Sequence, residues 1–263
     1  MSALPSSQAR SGVDASMATL QTADKPTIVL VHGGQHSGAC WQPTVDALRA
    51  LDPSAQVLAV DLPGHGNEPG DLATLTIAQC VESVTSQILS TRPSRVMLVG
   101  HSMAGITLPG VAARLGSALV QRVVFIACCI PPDGKTVLDT LHAPMNIIAS
   151  RAARRTAVSA PLPAFIARFV FANGMTREQK LRVVAGLCAE STRVTTEPVD
   201  RSAFPRVPTS WVLTQRDRAL RPKVQREFIG NLGGVDEVIE LDTCHNAMIS
   251  EPVKLAEILL SRC

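Results

Sequence analysis

This chain predicts an α/β fold: a mostly parallel central sheet with helices on both faces, and a helical cap inserted before the last two strands. Three observations carry that prediction. Six short apolar runs with β character recur along the 263 residues. Helical patterns separate them, which is the signature of parallel strands buried on both faces. One stretch, residues 131 to about 205, breaks the rhythm with short helical patterns, many prolines and no convincing strand.

Taken in order, the strands are Thr27–Val31, Gln56–Val60, Arg95–Val99, Arg122–Ala127, Ser210–Thr214 and Glu237–Leu241. The helical segments between them are Trp41–Leu51, Thr76–Ser90, Ala104–Leu115, Pro222–Asn231 and Glu251–Ser261. Within the interruption, Val137–Leu141, Pro163–Ala172 and Thr176–Ala189 carry helical periodicity. The expected organisation is a core of residues 25–130 and 206–263, a cap of residues 131–205, and an N-terminal tail of residues 1–24. The tail is rich in Ser, Ala, Gln and Thr and reads as disordered, with Met17 an alternative start to Met1.

Composition narrows the function classes. With 46% hydrophobic and 18% charged residues the chain can bury a large core. A formal charge of +3 is too small to point to nucleic acid, and the cluster Arg151, Arg154, Arg155 reads as a solvated helix face. No run approaches the roughly 18 to 20 apolar residues of a membrane span, and the tail lacks the apolar stretch of a signal peptide. The seven cysteines show no C-x-x-C spacing, so reduced thiols in a cytoplasmic protein are expected.

The chemistry begins at Val96-Met-Leu-Val-Gly-His-Ser-Met-Ala-Gly105, where an apolar strand breaks at a Gly-flanked serine. A sharp strand-to-helix turn there lifts the Ser102 hydroxyl out of the sheet and aims free helix N–H groups beside it. The fifth position of G-x-S-x-G is Ala104, one methyl larger than the usual glycine. An unassisted alcohol is a poor nucleophile and needs a base. His245, in Asp242-Thr-Cys-His-Asn246 after the last strand, is placed to be that base. Asp217, after the penultimate strand, is placed to fix its tautomer, with Asp133 in reserve. The order Ser, Asp, His along the chain is one of the known triad orders.

The tetrahedral oxyanion needs donors, expected from the backbone N–H groups of Met103 and Gly34. His32, His36, His65 and His101 are read as structural, as is Asp61 in Asp61-Leu-Pro-Gly-His-Gly66. Cys244, beside His245, is the weaker nucleophile candidate. No metal or cofactor is called for. The expected substrate pocket draws on Met145, Phe165, Phe169, Phe171 and Met175, with Ile147, Ile148 and Leu162 as further candidates; as a set they imply an apolar acyl or alcohol site.

These residues resemble the α/β-hydrolase superfamily from about residue 26 to 262. The resemblance rests on VHGG (31–34), DLPGHG (61–66), GHSMAG (100–105), TQRD (214–217) and CHNAMISEP (244–252). Within it the chain looks like the small-capped group of plant methyl esterases, hydroxynitrile lyases and bacterial esterases. The lyases carry a threonine after the first motif histidine and a lysine after the triad histidine; Gly33 and Asn246 stand here instead. The resemblance therefore implies a cofactor-independent serine hydrolase acting on small-molecule carboxylic esters. C–C bond or lactone hydrolysis by the same triad, and a ligand-binding receptor of the same fold with little turnover, are the alternatives.

Overall fold

The computed structural model describes residues 25–141 and 145–263. The N-terminal tail with Met17, residues His142 to Pro144, and the side chains of Met145 and Ile148 lie outside the described residues.

All six expected strands are present to within two residues at each end, among them β1 (Thr27–Val31), β2 (Val57–Val60), β4 (Val120–Ile126), β7 (Thr209–Thr214) and β8 (Glu237–Leu241). Another, β3, runs Val96–His101, two residues past the end of its apolar run. Gly100 and His101 stay in the ladder because they pair with Phe125 and Ile126 of β4. Strand order is β2-β1-β3-β4-β7-β8, and every pairing in this sheet is parallel.

Alternation along the strands divides the core. Val29, Val31, Leu98, Val123, Phe125, Trp211 and Leu213 face one way, against α2 (Ile77–Ser90), α3 (Leu108–Leu115) and α8 (Pro222–Asn231). Ile28, Leu30, Met97, Val99, Val124 and Val212 face the other way, against α1 (Gln42–Leu51), α9 (Ala247–Ser250) and α10 (Pro252–Leu260). A period of two on strands buried on both sides is what a doubly covered sheet requires. The expected helix Ala104–Leu115 is split. A 3-10 turn, Ser102–Ile106, leads into α3, whose Pro109 lies in the first helical turn and supplies no N–H.

The segment between β4 and β7 departs most from its sequence pattern. It holds α4 (Met145–Ala153), β5 (Val158–Ser159), α5 (Ala164–Val170), α6 (Arg177–Ala185), β6 (Glu190–Ser191) and α7 (Thr192–Thr196). The strands β5 and β6 form an antiparallel pair, against the expectation that no strand falls here. Two residues per strand are too few to show an alternation. The helical pattern Thr176–Ala189 ends early, at Ala185, where Gly186 caps it.

Candidate active site

Strand order reverses between β1 and β3, and the loops leaving the carboxyl ends of these neighbours meet there. The β3 loop is strained: Ser102 has φ +53°, a left-handed conformation for a residue with a side chain. The turn is held by the Cys129 N–H, which donates to the Ser102 carbonyl at 2.8 Å. Gly33 lets the β1 loop press against it. A Cβ on Gly33 would lie 2.8 Å from Ser102 Cβ and 3.0 Å from the His101 carbonyl oxygen.

Three distant side chains then fall into one line. Ser102 Oγ lies 3.0 Å from His245 Nε2, and His245 Nδ1 lies 2.7 Å from Asp217 Oδ2. Because Nδ1 faces a carboxylate it carries the ring hydrogen, which leaves the Nε2 lone pair for the Ser102 hydroxyl. Asp217 is itself fixed. Its Oδ1 accepts the N–H groups of Ala219 and Leu220 at 2.7 and 2.8 Å, and its Oδ2 accepts the Thr214 hydroxyl at 2.9 Å. Gln225, fully buried on α8, donates to Thr214 Oγ1 and accepts the Trp211 indole N–H. The reserve acid Asp133 is elsewhere, paired with Arg201 at 3.2 Å.

The other histidines are tied to backbone. His101 Nε2–H donates to the His245 carbonyl at 3.0 Å, and burial holds this ring well below its usual pKa. His32 accepts the Leu62 N–H on Nε2 at 3.0 Å and donates from Nδ1 to the Gly33 carbonyl; burial lowers its pKa to about 4. His36 Nδ1–H donates to the Gly34 carbonyl at 3.1 Å, while Asn246 Nδ2 reaches its Nε2 at 3.4 Å. Asp61 accepts the N–H groups of Gly38 and Asn67 and so ties two loops together. The Cys244 thiol is buried, and burial raises its pKa, which keeps it from acting as a thiolate.

A cavity of about 250 Å³ opens on this line, with Gly34, Ser102, Met103 and His245 in its wall. The segment between β4 and β7 contributes Ser159, Leu162, Phe171, Glu190 and Thr195 to its wall. Of the expected pocket residues, Phe171 is there, stacked on the His245 ring with centroids 5.3 Å apart. Phe165 and Phe169 are not: they are 73% and 63% exposed, because α5 turns Ala167 inward. Phe169 instead lies under the Arg218 guanidinium, 4.4 Å from its ring centre. Ile147 is exposed, and Met175 is buried in the core cluster with Ala172 and Val183. Glu190 and Gln35 were not legible as site residues, since neither stands in a motif or a periodic pattern that points to chemistry. Among the described residues no group of three or more His, Cys, Asp or Glu could hold a metal ion.

Comparison with known proteins places this architecture. The family model described as "Alpha/beta hydrolase family" matches residues 28–258. The chain belongs to that family. Methylesterase 18 of Arabidopsis thaliana is 25% identical over 259 residues, covering 88% of this chain and 95% of that protein. Pimeloyl-[acyl-carrier protein] methyl ester esterase of Vibrio atlanticus (strain LGP32) is 38% identical over 102 residues, covering 39% of this chain and 36% of that protein. This last match, like that to human protein phosphatase methylesterase 1 at 32% of its length, spans about a third of the relative. Among solved structures, an extracellular α/β-hydrolase from a Paenibacillus species superposes with a TM-score of 0.79 at 24% identity, covering 90% of this chain and 99% of that one. The Arabidopsis methylesterase MES16 gives 0.70 at 20% identity, covering 90% and 98%. These structures share the fold.

Proposed function

We propose that this α/β-hydrolase family member is a cofactor-independent serine hydrolase that cleaves carboxylic esters of small to medium apolar compounds, with residues 131–205 as its cap. The hydrogen-bonded line Asp217–His245–Ser102, opening on a cavity, is the observation that carries the reading. Ser102 Oγ attacks the ester carbonyl as its proton passes to His245 Nε2. The backbone N–H groups of Gly34 and Met103 receive the oxyanion. Collapse breaks the carbonyl–oxygen bond, and the His245 proton leaves with the alcohol. Water, deprotonated by the same ring, then releases the acid and restores Ser102.

Asp217 keeps the ring in the tautomer this cycle needs and balances the imidazolium it forms. A cavity of about 250 Å³ favours short acyl and alcohol groups. The names of several relatives describe methyl ester hydrolysis, so methyl esters are the first substrates to test. Seven unpaired cysteines support a cytoplasmic location.

The test is a series of p-nitrophenyl esters of graded acyl length with wild type and Ser102→Ala side by side. Hydrolysis should peak at short chains and vanish in the variant, together with covalent labelling by a fluorophosphonate. Labelling that survives in Ser102→Ala would overturn the assignment.

A further inference from the structure

Gln35 follows Gly34 directly and is itself left-handed, at φ +58°. Such a backbone is costly for a residue with a side chain, so something must hold it. Each of its polar groups is bonded to the inserted segment. Its N–H donates to Glu190 Oε2 at 2.9 Å, and its carbonyl accepts the Cys188 N–H at 3.0 Å. Its Oε1 accepts the Leu162 N–H at 3.0 Å, and its Nε2 donates to the Ala160 carbonyl at 3.1 Å. The loop carrying the Gly34 N–H is thereby shaped by a part of the chain that lies 125 to 155 residues away.

Glu190 is the buried member of this set, 5% exposed, on β6. Its Oε1 accepts the Ser191 N–H at 2.9 Å, and its Oε2 also faces His65 Nε2 at 3.4 Å. The other ring nitrogen of His65 faces the Pro63 carbonyl at 3.1 Å. Nδ1 carries a hydrogen for that carbonyl, and Nε2, which makes no hydrogen bond, lies at ion-pair distance from the carboxylate, an arrangement that favours the imidazolium. Burial opposes that charge, but the Glu190 carboxylate outweighs it and raises the His65 pKa; burial likewise disfavours the ionised Glu190, whose pKa His65 and the two N–H donors bring down. A Cβ placed on Gly34 would lie 3.3 Å from Glu190 Oε2 and 2.8 Å from Met103 Sδ. A carboxylate therefore lies beside Gly34, on the loop whose N–H would receive the oxyanion. Left unbalanced it would oppose that oxyanion, most strongly in a dry site.

We propose that Gln35 and Glu190 are positioning residues for the oxyanion site, binding its loop to the inserted segment, and that His65 neutralises the carboxylate this arrangement places there. The inference rests on the ester-hydrolase reading above. On it, the inserted segment does more than cover the cavity: it sets where the Gly34 N–H points.

The test compares wild type, Gln35→Ala, Glu190→Gln, His65→Asn and the double variant His65→Asn/Glu190→Gln. Their kcat and KM on p-nitrophenyl acetate are normalised to sites titrated with a fluorophosphonate, and inhibition by an aryl trifluoromethyl ketone reports on tetrahedral-adduct binding. Since a lost oxyanion donor costs about 10²- to 10³-fold, a misdirected one should cost Glu190→Gln about tenfold in kcat. His65→Asn, which strands the charge, should lose about a hundredfold, with KM within about threefold in both. The double variant should recover to the level of Glu190→Gln, because removing the carboxylate removes the need for its partner. Trifluoromethyl ketone affinity should follow kcat/KM throughout. Gln35→Ala, which leaves every charge in place, should lose about tenfold in kcat even if the His65 variants fold poorly.

Losses that multiply in the double variant, or that appear only as lower melting temperatures with kcat per titrated site unchanged, would overturn the proposal. A wild type with neither labelling nor turnover would overturn the ester-hydrolase reading itself, and this inference with it.

Discussion

Replacing Asp217 by asparagine exchanges one oxygen for an amide nitrogen at nearly constant shape, and the surroundings dictate how that amide must sit. Oδ1 of Asp217 accepts two backbone N–H groups, from Ala219 and Leu220. An NH2 there would meet two donors, so the amide oxygen has to take this place. The nitrogen then lands where Oδ2 was, against His245 Nδ1 at 2.7 Å. It can only donate, so His245 must accept through Nδ1 and carry its hydrogen on Nε2. That hydrogen points at Ser102, and on the proposed mechanism the ring then has no lone pair for the hydroxyl. Asp217 and His245 are both buried, so solvent offers no easy alternative. A triad with its imidazole in the wrong tautomer loses about 10⁴ in kcat, or roughly 5 kcal/mol at 1.36 kcal/mol per decade. The assay is p-nitrophenyl acetate turnover beside a thermal melt, with Asp133→Asn as the control expected to keep full activity. Asp217→Asn folded and within about tenfold of wild type would refute the reasoning.

Two further outcomes concern the β1 loop. His32 is held neutral by burial, with a pKa of about 4 against 6.5 for an ordinary ring. Between those values the unfolded chain binds the proton and the folded one does not, so stability falls as the pH drops from 6.5 toward 4. The gap of about 2.5 units corresponds to roughly 3 kcal/mol, and His36 and His101, also lowered by burial, act in the same direction. Urea denaturation at pH 7 and pH 4 should show His32→Asn losing about 3 kcal/mol less than wild type; equal losses would refute the assignment. Gly33→Ala should destabilise the chain by about 1–3 kcal/mol and slow fluorophosphonate labelling, because its methyl meets backbone as well as Ser102. A variant with wild-type melting and labelling rates would show that the loop has room to spare.

Much of the fold was legible because its signals are local. The apolar run Thr27–Val31 matches β1 to the residue, and Glu237–Leu241 matches β8 to the residue although two of its five residues are glutamates. The helical patterns Pro222–Asn231 and Glu251–Ser261 match α8 and α10 to within one residue at each end. Errors arose where a partner overrode the local pattern. β3 continues through Gly100 and His101 because β4 supplies a ladder, and β5 and β6 exist only as a pair. The pocket shows the same division. Phe165, Phe169 and Phe171 read alike as apolar residues on one helical stretch, yet only Phe171 reaches His245. Which side of a short helix turns inward depends on what it packs against, and that information is absent from its own periodicity.

The sequence by itself determined the doubly covered parallel sheet and the placing of Ser102, Asp217 and His245 at strand ends, since strand period and Gly-flanked turns are written in consecutive residues. Only the tertiary structure decided the cavity wall and the contacts of Gln35 with Glu190, and of Glu190 with His65. Those depend on how a segment far along the chain folds back over the β1 loop, and no spacing along the chain encodes that distance in space.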